Sequence, residues 1–231
     1  MTALGSKESI RIGVMQEGAQ LADIMGIDFF GNLSRDYYTM AKDFDPEIAE
    51  KFDHPIDVKI YYISSTLEPT VMTTGLKFVP DFTYDTCPRD LDIVFIPGTS
   101  PLQRPPQADR FMKEAFPKTR VWMTTCLGSL WLASAGVLKG KKCTTNREFL
   151  KMAGEVHPDT EWLSQRWVVE DKEYEGEGKG ELWTSGGAGA GLSMIITYLN
   201  QNFDQAFVNK FVVQALGLEE LGSSQFYKTS R

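Results

Sequence analysis

Several residue types are scarce in this chain, and each scarcity argues against a class of protein. The 231 residues include three cysteines and two histidines. Three scattered cysteines, none of them in a Cys-x-x-Cys pair, cannot form a disulfide framework and predict reduced thiols. With so few histidines and no cluster at ligand spacing, the sequence predicts no metal site, and we expect no cofactor.

Long apolar runs and blocks of basic residues are missing as well. No segment approaches the roughly 20 apolar residues that cross a bilayer, and the first residues lack the apolar core of a signal peptide. We therefore expect a soluble, cytoplasmic protein with no membrane partner. The net charge of −7 and the absence of a Lys/Arg block argue against a nucleic-acid partner. A small-molecule substrate is the expected partner.

Length and apolar content predict one domain. A chain of 231 residues with 42% hydrophobic content can build one sizeable core or at most two small ones. We predict a single domain over residues 1–231, with its core over about 10–216.

Apolar runs typical of buried strands alternate with helix-like segments. The first strand is followed by a Gly-containing loop and one helical pattern over residues 19–30, the usual opening of a doubly wound α/β sheet. A crossover helix is predicted over 111–116 and a hairpin or bulged pair over 71–79. The predicted strands of the sheet cover residues 10–15, 58–63, 92–96, 121–125, 167–171 and 181–185.

The segment 34–53 has two interpretations. Its charges fall on one face of a helical pattern, which is typical of a solvated surface. Alternatively, it lines a pocket through Tyr37, Tyr38 or Phe44.

The most informative stretch is residues 121–136, which predicts a strand, a sharp turn and a helix around Cys126. A residue on such a turn is lifted off the sheet into a crevice, and Gly128 lets the helix pack closely behind it. A thiol at a helix N-terminus is expected to have a lowered pKa. The alternative is a buried cysteine without a catalytic role, because free cysteine is among the most buried residue types.

Other segments point to the same crevice. Asp23 is a carboxylate in an apolar stretch beyond the first strand, although aspartate is also common at helix starts. Backbone N–H groups of the 97–101 loop, with that of Leu127, are placed to bind a developing negative charge. The glycine-rich turn 186–191 lacks the spacing of a dinucleotide-binding motif, so close helix packing is the preferred interpretation.

Together these segments resemble the ThiJ/PfpI superfamily, which has the class I glutamine amidotransferase-like fold, and within it the isocyanide hydratase branch. The resemblance covers about residues 10–216. It implies a flavodoxin-like three-layer sandwich, with a mostly parallel sheet covered by helices on both faces, and usually a homodimer. It also implies that Cys126 is the nucleophile and Asp23 its acid. The motifs that carry it are Ile96-Pro97-Gly98, Thr125-Cys126-Leu127-Gly128, Thr144-Thr145 and residues 183–191.

Three positions depart from the pattern of the superfamily. Leu127 stands where the hydratases commonly have threonine, Thr99 where relatives have a second glycine, and Asn146 where many have histidine. A Cys-His-acid triad needs a base at 146, and neither His54 nor His157 holds that position. Amidotransferase and peptidase activities are therefore disfavoured. The expected oxyanion and substrate-binding residues are Gly98, Thr99, Leu127 and Asn146.

The resulting hypothesis is a cysteine-dependent hydratase or lyase acting on a small electrophile. Its most concrete form is hydration of an isocyanide to an N-substituted formamide through a thioimidate on Cys126, with Asp23 as proton donor and acceptor. Leu127 makes the pocket less polar, which leaves open a lyase or cyclase of specialised metabolism. A redox-sensing or stress protein that uses oxidation of Cys126, and a glyoxalase-type activity, are further alternatives.

Overall fold

The computed structural model describes residues 7–52, 56–221 and 224–227 and confirms the α/β fold. Residues 1–6, which carry most of the N-terminal segment considered above, and His54 lie outside these ranges. The strands are β1 Ser9–Met15, β2 Asp57–Ser64, β3 Thr70–Val71, β4 Lys77–Phe78, β5 Phe82–Thr83, β6 Ile93–Ile96, β7 Val121–Thr124, β8 Lys142–Cys143, β9 Glu161–Trp162, β10 Trp167–Lys172 and β11 Gly180–Ser185.

Helices lie between and after these strands. Within the described ranges, none combines the length and the apolarity that a membrane span requires. The α-helices are α1 Leu21–Ile24, α2 Ile27–Gly31, α3 Arg35–Phe44, α4 Glu47–Lys51, α5 Pro106–Ala115, α6 Gly128–Ser134, α7 Leu150–Val156, α8 Ala188–Asn202 and α9 Gln205–Val208; a 3-10 helix covers Arg147–Phe149 and a π-helix Asn209–Gln214.

The main sheet of the described residues has the strand order β10-β11-β7-β6-β1-β2-β5. Neighbouring strands are parallel except β10 and β11, which are antiparallel. The predicted hairpin is present as the antiparallel pair β3–β4. Because β1, β6 and β7 are adjacent and parallel, the loops that follow them meet at one edge of the sheet.

Alternating residues of the central strands divide the core into two apolar layers. Ile93 and Phe95 face one cluster, which includes Met194 and Ile195 of α8. Val94 and Ile96 face the other, which includes residues of α5 and α6. This alternation covers both faces of the sheet and confirms the three-layer sandwich.

The helix expected over residues 19–30 is two short helices, α1 and α2. The N–H groups of Asp28 and Phe29 bond to carbonyls three residues back, at Met25 and Gly26, rather than four, so a tight turn separates the helices. A Cβ at Gly26 would overlap Ile195 of α8, so this turn lies directly against α8. The sequence pattern predicts one helix, and the break into α1 and α2 lies where Gly26 packs against Ile195.

The 34–53 segment fits both interpretations in part. Tyr38 stacks on Phe207, whereas Phe44 is 86% exposed. Tyr37 lines a surface cavity of about 410 Å³. Neither Asp23 nor Cys126 lines that cavity, so Tyr37 faces a recess other than the crevice at the strand ends. The remaining residues around it are Ile27, Asp28, Gly31, Asn32, Ser34, Asp36, Met40, Ile60 and Tyr62.

Candidate functional site

Cys126 lies on a strained turn between β7 and α6. Its φ is 57°, and among the residues that the structure describes no other non-glycine residue has a positive φ. Its N–H donates to the Gly186 carbonyl at 2.6 Å, and its carbonyl accepts from Oγ1 of Thr145 at 2.8 Å. Hydrogen bonds on both sides hold a backbone conformation that costs about 1–3 kcal/mol, and such strain is concentrated at functional sites.

Glycines behind Cys126 allow the close packing that the sequence predicts. A Cβ at Gly128 would overlap the Ile96 carbonyl oxygen and lie 2.9 Å from that of Pro97. A Cβ at Gly191 of α8 would lie 2.7 Å from Oγ1 of Thr125. Neither position can accept a side chain without displacing backbone or a buried residue, so both glycines have a packing role.

Asp23, Gly98 and Cys126 meet at the strand ends. The side chain of Asp23 is buried, and its residue is 4% exposed. A Cβ at Gly98 would overlap Oδ2 of Asp23 and lie 2.9 Å from Cβ of Cys126. Only glycine at position 98 therefore leaves room for the carboxylate beside the cysteine.

Burial raises the pKa of Asp23 above its ordinary value. Contacts with the Cys126 thiol and the Gly98 backbone lower this pKa, but their effect is smaller than that of burial. Within the described residues, Oδ2 has no hydrogen-bond partner of ordinary geometry. A carboxyl group with a raised pKa is a stronger base than an ordinary aspartate, which suits proton exchange with the neighbouring thiol.

The expectation of a lowered thiol pKa at Cys126 is wrong. Burial raises this pKa, and the Asp23 charge adds to the effect, while hydrogen bonds from Asn146 and from the Leu127 backbone oppose it. Cys126 is 6% exposed, and this loss of solvent is the largest influence on the pKa of its thiol. The thiol therefore needs a proton acceptor when it reacts.

Asn146 contacts the sulfur directly. Its Nδ2 donates to Sγ of Cys126 at 3.3 Å. Its Oδ1 accepts from the N–H of Glu148 at 3.1 Å, which caps the 3-10 helix and orients the amide. Position 146 therefore supplies a hydrogen-bond donor to the sulfur and no base.

Thr99 and Leu127 lie next to this group. Thr99 is 4% exposed, and its Oγ1 has no hydrogen-bond partner in the described part of the chain. The side chain of Leu127 is half-buried, and its backbone N–H contacts the Cys126 sulfur. Every predicted site residue thus lies in one region. Thr145 and Gly186, which bond to the backbone of Cys126, belong to the same region, and the sequence analysis did not single them out as site residues.

The other candidate groups lie elsewhere. Cys87 and Cys143 are buried, and burial raises the pKa of each thiol to about 12. Nε2 of His157 lies 3.2 Å from Oγ of Ser134 rather than beside Cys126. Among residues 7–52, 56–221 and 224–227, no three His, Cys, Asp or Glu side chains are grouped so that they could hold a metal ion.

Comparison with known proteins agrees with this fold. Isonitrile hydratase of Pseudomonas putida is 31% identical over 147 residues, which are 61% of this chain and 58% of that protein. A ThiJ/PfpI family protein from Pseudomonas syringae has a TM-score of 0.66 at 23% identity, covering 96% of this chain and 79% of the other. DJ-1beta of Drosophila melanogaster has a TM-score of 0.62 at 16% identity, with 90% and 97% covered.

The alignment with isonitrile hydratase spans less than two thirds of that protein's length, and the two solved structures show a shared fold only. A family model matches residues 47–201, which is more than half of the chain and includes Gly98, Cys126 and Asn146 but not Asp23. On this match the chain belongs to the DJ-1/PfpI family.

Proposed function

We propose that this protein is a cysteine-dependent hydratase that converts an isocyanide to an N-substituted formamide. The observation that carries the proposal is the buried Asp23 carboxylate beside the Cys126 thiol, in the space that Gly98 leaves open. The similarity to isonitrile hydratase supports this choice of substrate class. The proposed substrate is therefore a small electrophile with a terminal carbon that the sulfur can attack.

The first half of the reaction forms a bond to sulfur. Asp23 takes the proton of Cys126 as the sulfur attacks the terminal carbon of the isocyanide, and it returns that proton to the same carbon. The product of this half is a thioimidate on Cys126. The raised pKa of Asp23 suits both transfers, because it makes the carboxylate a stronger base than an ordinary aspartate while the protonated form can still give the proton back.

The second half uses water. Water adds to the thioimidate carbon, the nitrogen gains a proton, and the carbon–sulfur bond breaks to release the formamide and the sulfur of Cys126, which is protonated again. Overall one water is added to one isocyanide. The amide of Asn146 and the N–H of Leu127 stabilise the sulfur when it carries negative charge.

Thr99 is proposed to bind the polar part of the substrate or the attacking water. Its buried hydroxyl lacks a partner in the described residues, which is unusual for a buried polar group. The side chain of Leu127 is apolar and has no hydroxyl for this role. Gly98 is proposed to act through its backbone and through the absence of a side chain.

Asp23 beside the thiol favours the enzyme over a redox sensor, because it can take the thiol proton as the sulfur attacks a substrate. Oxidation by peroxide instead follows the resting thiolate fraction, which the raised pKa of Cys126 lowers. The glyoxalase alternative usually needs a histidine beside the sulfur. Position 146, which contacts the sulfur, holds asparagine instead. The homodimer and the single domain that the sequence predicts stay predictions, as does the absence of a cofactor.

The test measures two products from one protein preparation. Formamide formation from a simple isocyanide and lactate formation from methylglyoxal are followed for the wild type, Cys126→Ala and Asp23→Asn. We expect formamide only, with at least about 100-fold loss in either variant, as removal of a nucleophile or general base gives. Formamide turnover that survives Cys126→Ala would exclude the mechanism.

A further inference from the structure

Residues 224–227 lie against the start of β10. The N–H of Arg166 donates to the Gln225 carbonyl at 2.7 Å, and Nε2 of Gln225 donates to the Trp167 carbonyl at 2.8 Å. Nη1 of Arg166 also donates to the Ser224 carbonyl at 2.7 Å. Because Trp167 pairs with Ser185 at the end of β11, these bonds bring the 224–227 segment to the sheet edge that holds Cys126.

Tyr227 connects this segment to the site. A Cβ at Gly186 would lie 2.5 Å from the Tyr227 hydroxyl and 3.6 Å from the Thr145 carbonyl oxygen. The guanidinium carbon of Arg147 lies 4.9 Å from the Tyr227 ring centroid, which is a cation–π distance. The tyrosine therefore spans from Gly186 to Arg147 across the turn formed by residues 145–147.

Tyr227 touches one residue that bonds to Cys126 and one that is next in sequence to such a residue. Gly186 accepts the Cys126 N–H, and Arg147 directly follows Asn146, whose amide reaches the sulfur. We propose that Tyr227 is a positioning residue of this site: it holds the 145–147 turn against Gly186 so that Asn146 stays within hydrogen-bond distance of Cys126. The inference rests on Cys126 as the reactive group of the proposed function, but not on the identity of the substrate.

The charges around these residues are few. Asp23 is the ionised group that acts on Cys126, whereas Arg147 and Arg166 act on Tyr227. Burial raises the pKa of Tyr227, so its hydroxyl stays neutral at physiological pH. Tyr227 thus acts on the thiol through the placement of Asn146 and not through its own charge.

The test follows the pH dependence of Cys126 alkylation by iodoacetamide, with the labelled site identified by mass spectrometry. In Tyr227→Ala, Asn146 loses its support, and we expect the profile to shift to higher pH and the rate at pH 7 to fall about tenfold. Tyr227→Phe keeps the ring on Arg147 and loses only the hydroxyl at Gly186, so it should recover part of the rate. Phe226→Ala, on the same segment but 61% exposed, is the matched control and should behave as the wild type.

A double variant separates positioning from general loosening of the fold. In an Asn146→Ala background, Tyr227→Ala should produce no further change, because the contact that it supports is already gone. Additive shifts, a wild-type profile in Tyr227→Ala, or an equal shift in Phe226→Ala would each overturn the proposal. Alkylation needs no isocyanide, so absence of formamide turnover would count against the proposed function alone.

Discussion

The side-chain amide of Asn146 donates a hydrogen bond to the sulfur of Cys126, with an Nδ2–Sγ distance of 3.3 Å. An amide cannot take a proton from a thiol, so this contact stabilises the charged sulfur without creating it. In the proposed mechanism Asp23, whose carboxyl group also contacts Cys126, is the proton acceptor. The two roles that a histidine would combine are therefore divided between Asn146 and Asp23.

Replacing Asn146 tests whether its hydrogen bond stabilises the thiolate of Cys126. In Asn146→Ala the thiolate loses a hydrogen bond, which raises the pKa of Cys126 further and should slow alkylation by iodoacetamide at pH 7 by about tenfold. Asn146→Asp places a carboxylate at the sulfur and should slow alkylation at least as much as Asn146→Ala does. The measurement is the alkylation rate across the pH range.

A matched control is Asn202→Ala. Asn202 donates its amide to the Tyr198 carbonyl within α8, at a distance of 3.0 Å. Its loss should leave the alkylation profile unchanged. An Asn146→Ala protein with a wild-type profile would show that the contact has no effect on the thiol.

Asp23→Asn should increase stability at neutral pH while it abolishes turnover. Because the folded pKa of Asp23 is raised, the carboxyl group is protonated in both states well below pH 4, and folding loses stability as the pH rises through the folded pKa. The amide has no charge to bury, so we expect a gain of about 1 kcal/mol at pH 7 that disappears in acid. Urea unfolding at several pH values measures this difference.

The control for this variant is Asp36→Asn, which changes an exposed aspartate in the first turn of α3. It should give no gain of stability at pH 7, because its side chain is solvated in the folded protein. An Asp23→Asn protein that is less stable than the wild type at pH 7 would show that the carboxylate is favourable in the fold.

Gly98→Ala should disable the site by crowding. The added methyl group overlaps Oδ2 of Asp23 and approaches Cβ of Cys126, so we expect turnover to fall at least about 100-fold and stability by about 1–3 kcal/mol. Formamide formation and urea unfolding report the two effects.

Gly154→Ala provides the comparison. It lies within α7, and a Cβ there meets no atom within 4 Å, so alanine should stabilise the helix by about 0.5–1 kcal/mol and leave turnover intact. If Gly98→Ala retained wild-type turnover, the close approach of Asp23 and Cys126 would not matter for catalysis.

Cysteine labelling should distinguish the three thiols. Burial raises the pKa of Cys87 and Cys143 to about 12, whereas hydrogen bonds from Asn146 and the Leu127 backbone oppose burial at Cys126. Under native conditions at pH 7.5 we expect label at Cys126 first, and in denaturant at all three. Mass spectrometry of peptides counts the labels, and native labelling of Cys143 before Cys126 would contradict this order.

Much of the site follows from local sequence. The run from Val121 to Gly128 specifies a strand, a turn and a helix, because its apolar residues, its cysteine and its glycine leave few other solutions. Asp23 and the loop after Ile96 follow other strands of a parallel sheet. Since the carboxyl ends of parallel strands meet at one edge, the sequence predicts that these groups converge.

Other features depend on contacts that no local pattern contains. The apolar period over 19–30 predicts one helix, and packing of Gly26 against Ile195 accompanies its division into two. The pKa of Cys126 is likewise a balance between burial and the hydrogen bonds from Asn146 and the Leu127 backbone, and a sequence reveals neither the depth of burial nor those contacts. Tyr227 carries no motif at all and reaches the site only because hydrogen bonds hold its segment against β10.

The sequence by itself determined the α/β fold, the strand, turn and helix around Cys126, and the absence of a histidine at position 146, because these depend on residue type and on periodicity along the chain. Tertiary structure alone decided that the thiol of Cys126 has a raised pKa, that Asn146 donates to it, and that Tyr227 adjoins Gly186. These are effects of burial and of distance between residues far apart in sequence, and they arise only when the layers pack together.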